Sequence, residues 1–218
     1  MTRDQIRNRI EEIGIIPAIR LGSAADALFA AEAVSSSGIP IVEVTMTVPG
    51  ALDVISELLR SNKDLLVGAG TVFDTETAAR CLDAGARFIT SPGLNLKVVE
   101  FAKKKNVVVF PGALTPSEIM AAWDAGADFV KVFPVMPVGG PAYIKALKSP
   151  FPKIPLIASG GVNQQTAPGL IHAGAVALGI GKDLIAPDAI ERREAGWIRE
   201  LSRRYLKMIR DAREELAA

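Results

Sequence analysis

The chain has 218 residues, 49% of them hydrophobic, and 25 Lys and Arg against 24 Asp and Glu leave a formal net charge of +1. That length suits one large domain with a sizeable core; charges spread along the chain speak against a nucleic-acid partner, and no apolar run is long enough to span a membrane. With one cysteine (Cys81) there is no internal disulfide, and with one histidine (His172) a zinc site built from His and Cys or a Ser-His-Asp triad is not expected.

The first residues, Met1-Thr2-Arg3-Asp4-Gln5, lack the apolar stretch of a signal peptide, so a cytoplasmic protein is expected. A helix near 3–12 precedes the first strand. Apolar runs predict strands near 14–20, 39–46, 65–70, 87–90, 107–110, 127–132, 155–158 and 175–179. Amphipathic segments predict helices near 24–37, 50–61, 75–84, 95–105, 116–125, 140–148 and 164–172, with a last helical region over 188–216. Thr115-Pro116-Ser117-Glu118 reads as a capping box with proline in the first turn. Asp83-Ala84-Gly85-Ala86, Asp124-Ala125-Gly126-Ala127 and His172-Ala173-Gly174-Ala175 each join a helix to an even-numbered strand, as Ser37-Gly38-Ile39 does earlier. Glycine at such a joint is a left-handed helix terminator. His172 beside Ala173-Gly174 is expected to cap a helix or lie at the surface. Eight strands alternating with helices, with a joint recurring at near-regular spacing, predict an α/β fold: a single (β/α)8 TIM barrel over 1–218 with an additional N-terminal helix.

Glycines also follow the strands, in Gly68-Ala69-Gly70-Thr71, Ser91-Pro92-Gly93, Phe110-Pro111-Gly112, Ser159-Gly160-Gly161 and Gly179-Ile180-Gly181. These belong to the C-terminal face of a barrel, where active sites lie, and they suit close approach of a ligand to backbone. Lys131 sits in the apolar run Phe129-Val130-Lys131-Val132-Phe133-Pro134. It is either a strand-end lysine reaching water or a buried amine; burial favours the uncharged amine, which attacks carbonyls. Glu43 is a second charge inside an apolar strand, Ile39-Pro40-Ile41-Val42-Glu43-Val44. Period two puts Ile41, Glu43 and Thr45 on one face, and Phe129, Lys131 and Phe133 on another. Both strands are even-numbered, and alternate strands supply the same layer of a barrel interior. If both point inward, Glu43 and Lys131 look across one pocket. A purely structural buried ion pair is a poor route to stability, which favours a functional pair. Arg20, closing the first strand, suits a clamp for a carboxylate. Gly160-Gly161 and Gly179-Ile180-Gly181, with a short helix expected near Lys182, suit an anion site.

The ordered set Val42-Glu43-Val44-Thr45, Gly68-Ala69-Gly70-Thr71-Val72, Ser91-Pro92-Gly93, Phe110-Pro111-Gly112, Lys131-Val132-Phe133-Pro134 and Gly160-Gly161-Val162 resembles the 2-keto-3-deoxy-6-phosphogluconate (KDPG) aldolase family, which includes 4-hydroxy-2-oxoglutarate (KHG) aldolases. The resemblance runs from about Ile15 to Pro187. It implies a class I aldolase on a (β/α)8 barrel, usually a homotrimer, acting on a small-molecule 2-keto-3-deoxy sugar acid without metal or organic cofactor. It puts the Schiff-base lysine at Lys131 and the acid/base glutamate at Glu43. Thr71, Pro92 and Phe133 fall at the pyruvate end, and Gly160, Gly161 and Gly181 at the phosphate end. Arg20 matches an arginine of many members. Two positions depart from the pattern. Thr47 stands where some members have arginine, and Lys182-Asp183 follows the last phosphate glycine, where serine is common; Lys182 is expected to serve as a point charge for phosphate. The alternative readings are a sugar-phosphate epimerase or isomerase, in which Lys131 acts only electrostatically, and a non-catalytic ligand-binding barrel.

Overall fold

The computed structural model describes residues 1–217. Nine parallel strands form one sheet: β1 (Ile15–Ile19), β2 (Ile41–Thr45), β3 (Leu66–Gly70), β4 (Phe88–Thr90), β5 (Val108–Phe110), β6 (Gly112–Ala113), β7 (Val130–Val132), β8 (Leu156–Ser159) and β9 (Ala175–Ile180). The order across the sheet is β5-β4-β3-β2-β1-β9-β8-β7-β6. Its two ends, β5 and β6, are consecutive in the chain with only Pro111 between them, so the sheet returns on itself as a barrel. The expected fifth strand is therefore present but divided. Proline offers no N–H to a ladder, and the neighbouring strand carries a bulge at this point. Asp128 donates its N–H to the Val109 carbonyl at 2.9 Å and Lys131 donates to the Pro111 carbonyl at 2.9 Å. Two residues of one strand thus match three of the other. The Asp128 carboxylate accepts the Val109 N–H at 2.9 Å and so takes the place of the missing ladder acceptor.

The described residues form ten α-helices: α1 (Arg3–Ile13), α2 (Ala24–Ser35), α3 (Ala51–Ser61), α4 (Thr75–Asp83), α5 (Leu96–Lys104), α6 (Pro116–Asp124), α7 (Pro141–Lys148), α8 (Ala167–His172), α9 (Pro187–Glu191) and α10 (Ala195–Ala217). The four repeated glycines all hold the left-handed conformation expected of helix terminators, with φ of 99° at Gly38, 102° at Gly85, 93° at Gly126 and 101° at Gly174. The Thr115–Glu118 capping box forms as predicted, and its hydrogen bonds hold the Glu118 carboxyl below the usual carboxylate range. His172 ends α8 and pairs at the surface with Glu215 at 3.0 Å. Two helical segments differ from expectation. The region over 188–216 is two helices, because the chain turns at Arg193, which has φ of 55° and pairs with Asp26 at 2.7 Å. Helix α8 begins at Ala167 because Asn163 makes a turn that binds the Thr166 and Ala167 N–H groups.

The core has two parts. One is the shell between strands and helices. The other fills the lower barrel with Ile16, Ile41, Leu66, Phe88, Val108, Phe110, Phe129, Ile157 and Ala177, and is capped by Ile6 and Ile10 of α1. The predicted N-terminal helix is thus a plug. It is fixed at one end by Arg3 and Arg7, whose Nε atoms lie 3.0 and 3.5 Å from the buried Asp128 carboxylate. At the other end Arg213 of α10 donates to the carbonyls of Glu11 at 2.6 Å and Glu12 at 2.7 Å.

Asp128 therefore joins plug, bulge and β7. Removing a buried carboxylate that pairs two cations leaves those cations and the Val109 N–H without their partner, a cost of about 2–4 kcal/mol. Asp128→Ala is expected to lower the unfolding free energy by that amount in urea titrations; a change within about 0.5 kcal/mol, the range of an ordinary surface substitution, would refute the joint.

Candidate active site

Pairing positions the two charged side chains. In the registers of β1, β2 and β3, Glu43 lies opposite Ala18 on one side and Gly68 on the other. Lys131 lies between Gly112 and Ile157 in the registers of β6, β7 and β8. Both side chains enter the barrel one layer above the apolar fill of Ile41 and Phe129, as the period-two reading expects. Glu43 is 2% exposed and Lys131 is 8% exposed. Their nearest atoms, Lys131 Nζ and Glu43 Oε2, are 3.6 Å apart. The ammonium also lies 5.8 Å from the Phe133 ring centroid. Among the described residues neither head group makes a hydrogen bond to another protein group, so both keep bonding capacity for a ligand.

Space for this pair comes from missing side chains. A Cβ on Gly70 would collide with the Glu43 carboxylate, and one on Gly112 with the backbone of Pro92. Gly160 and Gly161 hold φ of 93° and 83°, and a Cβ on Gly160 would come within 2.8 Å of Pro134 Cα. These four glycines are steric requirements of the face.

A cleft of about 560 Å³ opens above the pair. Every residue singled out in the sequence lines it: Lys131, Glu43, Arg20, Thr71, Pro92, Phe133, Gly160, Gly161, Gly181 and Lys182. Thr71 stands in the left-handed region at φ 61°. That is a strained conformation for a β-branched residue, of the kind found where a site needs a fixed geometry. Its hydroxyl accepts from Arg20 Nη2 at 2.9 Å.

The anion end differs from expectation in one respect. No helix starts at Lys182; residues 182–184 form a turn closed by Leu184 and Ile185 N–H groups on the Gly181 carbonyl, and α9 begins at Pro187. The turn spends those N–H groups internally, so the positive side chain there is that of Lys182. The cleft also takes in Ala18 and Phe73, which no sequence motif marks, Ser159 and Val162, which lie in the motifs without a role of their own, and Thr47, Gly179 and Asp183, which the sequence places beside the site residues. Ser159 was signalled only by its place before two glycines, and Phe73 only as a large apolar residue in a loop, where it is 61% exposed.

A family model described as KDPG and KHG aldolase matches residues 6–201. The chain is 36% identical to the 2-dehydro-3-deoxy-phosphogluconate aldolase of Haemophilus influenzae over 162 residues, 74% of this chain and 76% of the relative. It is 32% identical to the enzyme of that name from Pseudomonas aeruginosa, over 93% of this chain and 92% of the relative. Among solved structures, KDPG aldolase from Legionella pneumophila, with pyruvate captured at low pH as a covalent carbinolamine intermediate, superposes with a TM-score of 0.84 at 30% identity, covering 90% of this chain and 96% of that one.

The steric role of Gly70 is testable without an activity. Gly70→Ala is expected to destabilise the protein by about 1–3 kcal/mol through overpacking against Glu43. In a Glu43→Ala background the same change is expected to cost much less, because the obstructing carboxylate is gone. Equal costs in the two backgrounds, measured by chemical denaturation, would contradict the contact.

Proposed function

This chain belongs to the KDPG and KHG aldolase family, and on that premise we propose that it is a class I aldolase cleaving a 2-keto-3-deoxy sugar acid. The substrate proposed is 2-keto-3-deoxy-6-phosphogluconate, giving pyruvate and glyceraldehyde 3-phosphate, with 4-hydroxy-2-oxoglutarate, giving pyruvate and glyoxylate, as a second substrate. The observation that carries the reading is a buried amine 3.6 Å from a buried carboxylate inside an open cleft.

In this reading the Lys131 amine attacks the C2 ketone to form a carbinolamine, which loses water to give a protonated imine. Glu43, directly or through water, removes the proton of the C4 hydroxyl. The C3–C4 bond then breaks, its electron pair passes into the imine to form an enamine, and the aldehyde leaves. Protonation of the enamine at C3 by Glu43 and hydrolysis of the imine release pyruvate and restore the amine. The route uses no metal and no organic cofactor. Arg20 and Thr71 receive the substrate carboxylate, with Pro92 and Phe133 packing the pyruvate end. Gly160, Gly161, Gly181 and Lys182 receive the phosphate.

The protein is further proposed to be cytoplasmic and to assemble as a homotrimer. No helix of the described residues is long and apolar enough to cross a membrane. An apolar surface supports assembly. Phe73 and Leu96 are exposed, and Asn95, next to Leu96 in the chain, donates its Nδ2 to the Phe73 carbonyl at 2.8 Å. Helix α6, which packs beside α5, exposes Met120 and Trp123.

Incubation with pyruvate and borohydride is expected to leave a reduced pyruvate adduct on Lys131, found by intact mass and peptide mapping. Lys131→Ala is expected to lose the adduct and turnover while keeping its fold. Turnover unchanged in that variant would end the Schiff-base reading. Light scattering is expected to give three times the chain mass in solution; a single-chain mass at micromolar concentration would reject the trimer.

A further inference from the structure

We infer that Thr47 is a positioning residue that sets the Arg20 guanidinium for its ligand. The inference rests on the reading of the cleft as a 2-oxo-acid aldolase site. Arg20 stands at the cleft mouth, where β1 ends. Among the described residues no carboxylate pairs with it. Its protein partners are two hydroxyls: Nη1 donates to Thr47 Oγ1 at 3.0 Å and Nη2 to Thr71 Oγ1 at 2.9 Å.

The Thr47 contact belongs to a chain of bonds with one allowed direction. Thr45 is fully buried and donates its hydroxyl proton to the Ile19 carbonyl at 3.0 Å. The oxygens of Thr45 and Thr47 are 2.8 Å apart. A carbonyl only accepts, so the Thr45 proton is committed there, and Thr47 must donate to Thr45. Arginine only donates, so a lone pair of the Thr47 oxygen receives Nη1. The chain starts at the backbone of Ile19 and ends on the side chain of its neighbour Arg20. It ties a long, exposed side chain to the rigid end of its own strand through two threonines of β2 and its following turn.

The consequence is a guanidinium held at two corners by neutral groups. Its charge is not neutralised, and its other N–H groups are left for a planar anion, the geometry in which arginine recognises a carboxylate. Thr47 touches Arg20 and stands one step from the reacting atoms, so it acts through binding and not through the chemistry at Lys131.

The test measures how much pyruvate is needed for borohydride to trap the Lys131 adduct. Thr47→Val keeps shape and removes the hydroxyl. It is expected to raise the half-saturating pyruvate concentration by about three- to tenfold, the loss suited to one partly exposed bond to a charged group, with the adduct yield at saturation unchanged. Thr47→Ser is expected to stay within about twofold of the parent because it keeps the bond. In an Arg20→Ala background Thr47→Val is expected to add no further loss, a coupling that a merely structural threonine does not show. Thr47→Ala gives the same comparison if valine disturbs the turn. The inference is overturned if Thr47→Val and Thr47→Ala both saturate at the parent's pyruvate concentration, or if the loss is the same with and without Arg20. A parent protein that forms no adduct overturns the aldolase reading and this inference together; a parent adduct with unaffected Thr47 variants overturns this inference alone.

Discussion

The structure is organised around the cost of placing two charges inside a close-packed barrel. An ammonium and a carboxylate taken from water lose hydration that their mutual attraction repays only with good geometry and further hydrogen bonds. Glu43 and Lys131 are 3.6 Å apart and have no other bonds to protein among the described residues. The pair is thus a poor stabiliser and a good receptor. It is tolerated because the surrounding barrel is built to make room for it. Ala18, Gly68, Gly70 and Gly112 flank the two side chains, and a larger residue at Gly70 would occupy the place of the carboxylate.

Stability must then come from elsewhere, and the lower barrel supplies it. Phe88, Phe110 and Phe129 stack and cross beneath the polar layer, with ring centroids 5.2 and 6.1 Å apart. Helix α1 closes the open end with Ile6 and Ile10. Here the molecule uses a different charged arrangement. Asp128 has two arginines and a backbone N–H, so its buried charge is matched. The bulge it supports starts the step that carries β7 past Pro111 and brings Lys131 opposite Gly112. One barrel end thus pairs its buried charge with two cations, and the other is left with bonding capacity for ligand.

Much of this was legible in the sequence for a physical reason. Barrel strands alternate their faces with period two, so a lone charge in each of two apolar strands could be put on the inside and, by strand parity, in the same layer. Likewise a glycine after a helix has few uses besides the left-handed turn, and all four such joints adopt it. What stayed hidden depends on pairing between distant segments. Asp128 reads locally as a polar residue before a strand; only its hydrogen bonds to Val109 of β5 show that its carboxylate serves a distant backbone. Lys182 starts a turn where the sequence predicts a helix, because glycine before a mixed polar run fits both. The partners of Arg20 come from the turn after β2 and from the loop after β3, which no local pattern connects.

The departures from the family pattern acquire a common sense in the cleft. Thr47 stands where some members have arginine, so in the proposed reading the carboxylate end relies on a single guanidinium, Arg20, bonded to two hydroxyls. Where Lys182 stands at the anion end, a cation has been gained. The cleft therefore carries Arg20 and Lys182 along with Lys131, set against Glu43 and Asp183. A substrate anionic at both ends and uncharged at its middle matches that distribution. In the proposed reading its two ends meet the exposed cations Arg20 and Lys182 and its carbonyl meets the buried pair, where burial strengthens each electrostatic contact. Exposure at the ends and burial at the centre separate binding from chemistry within one cleft.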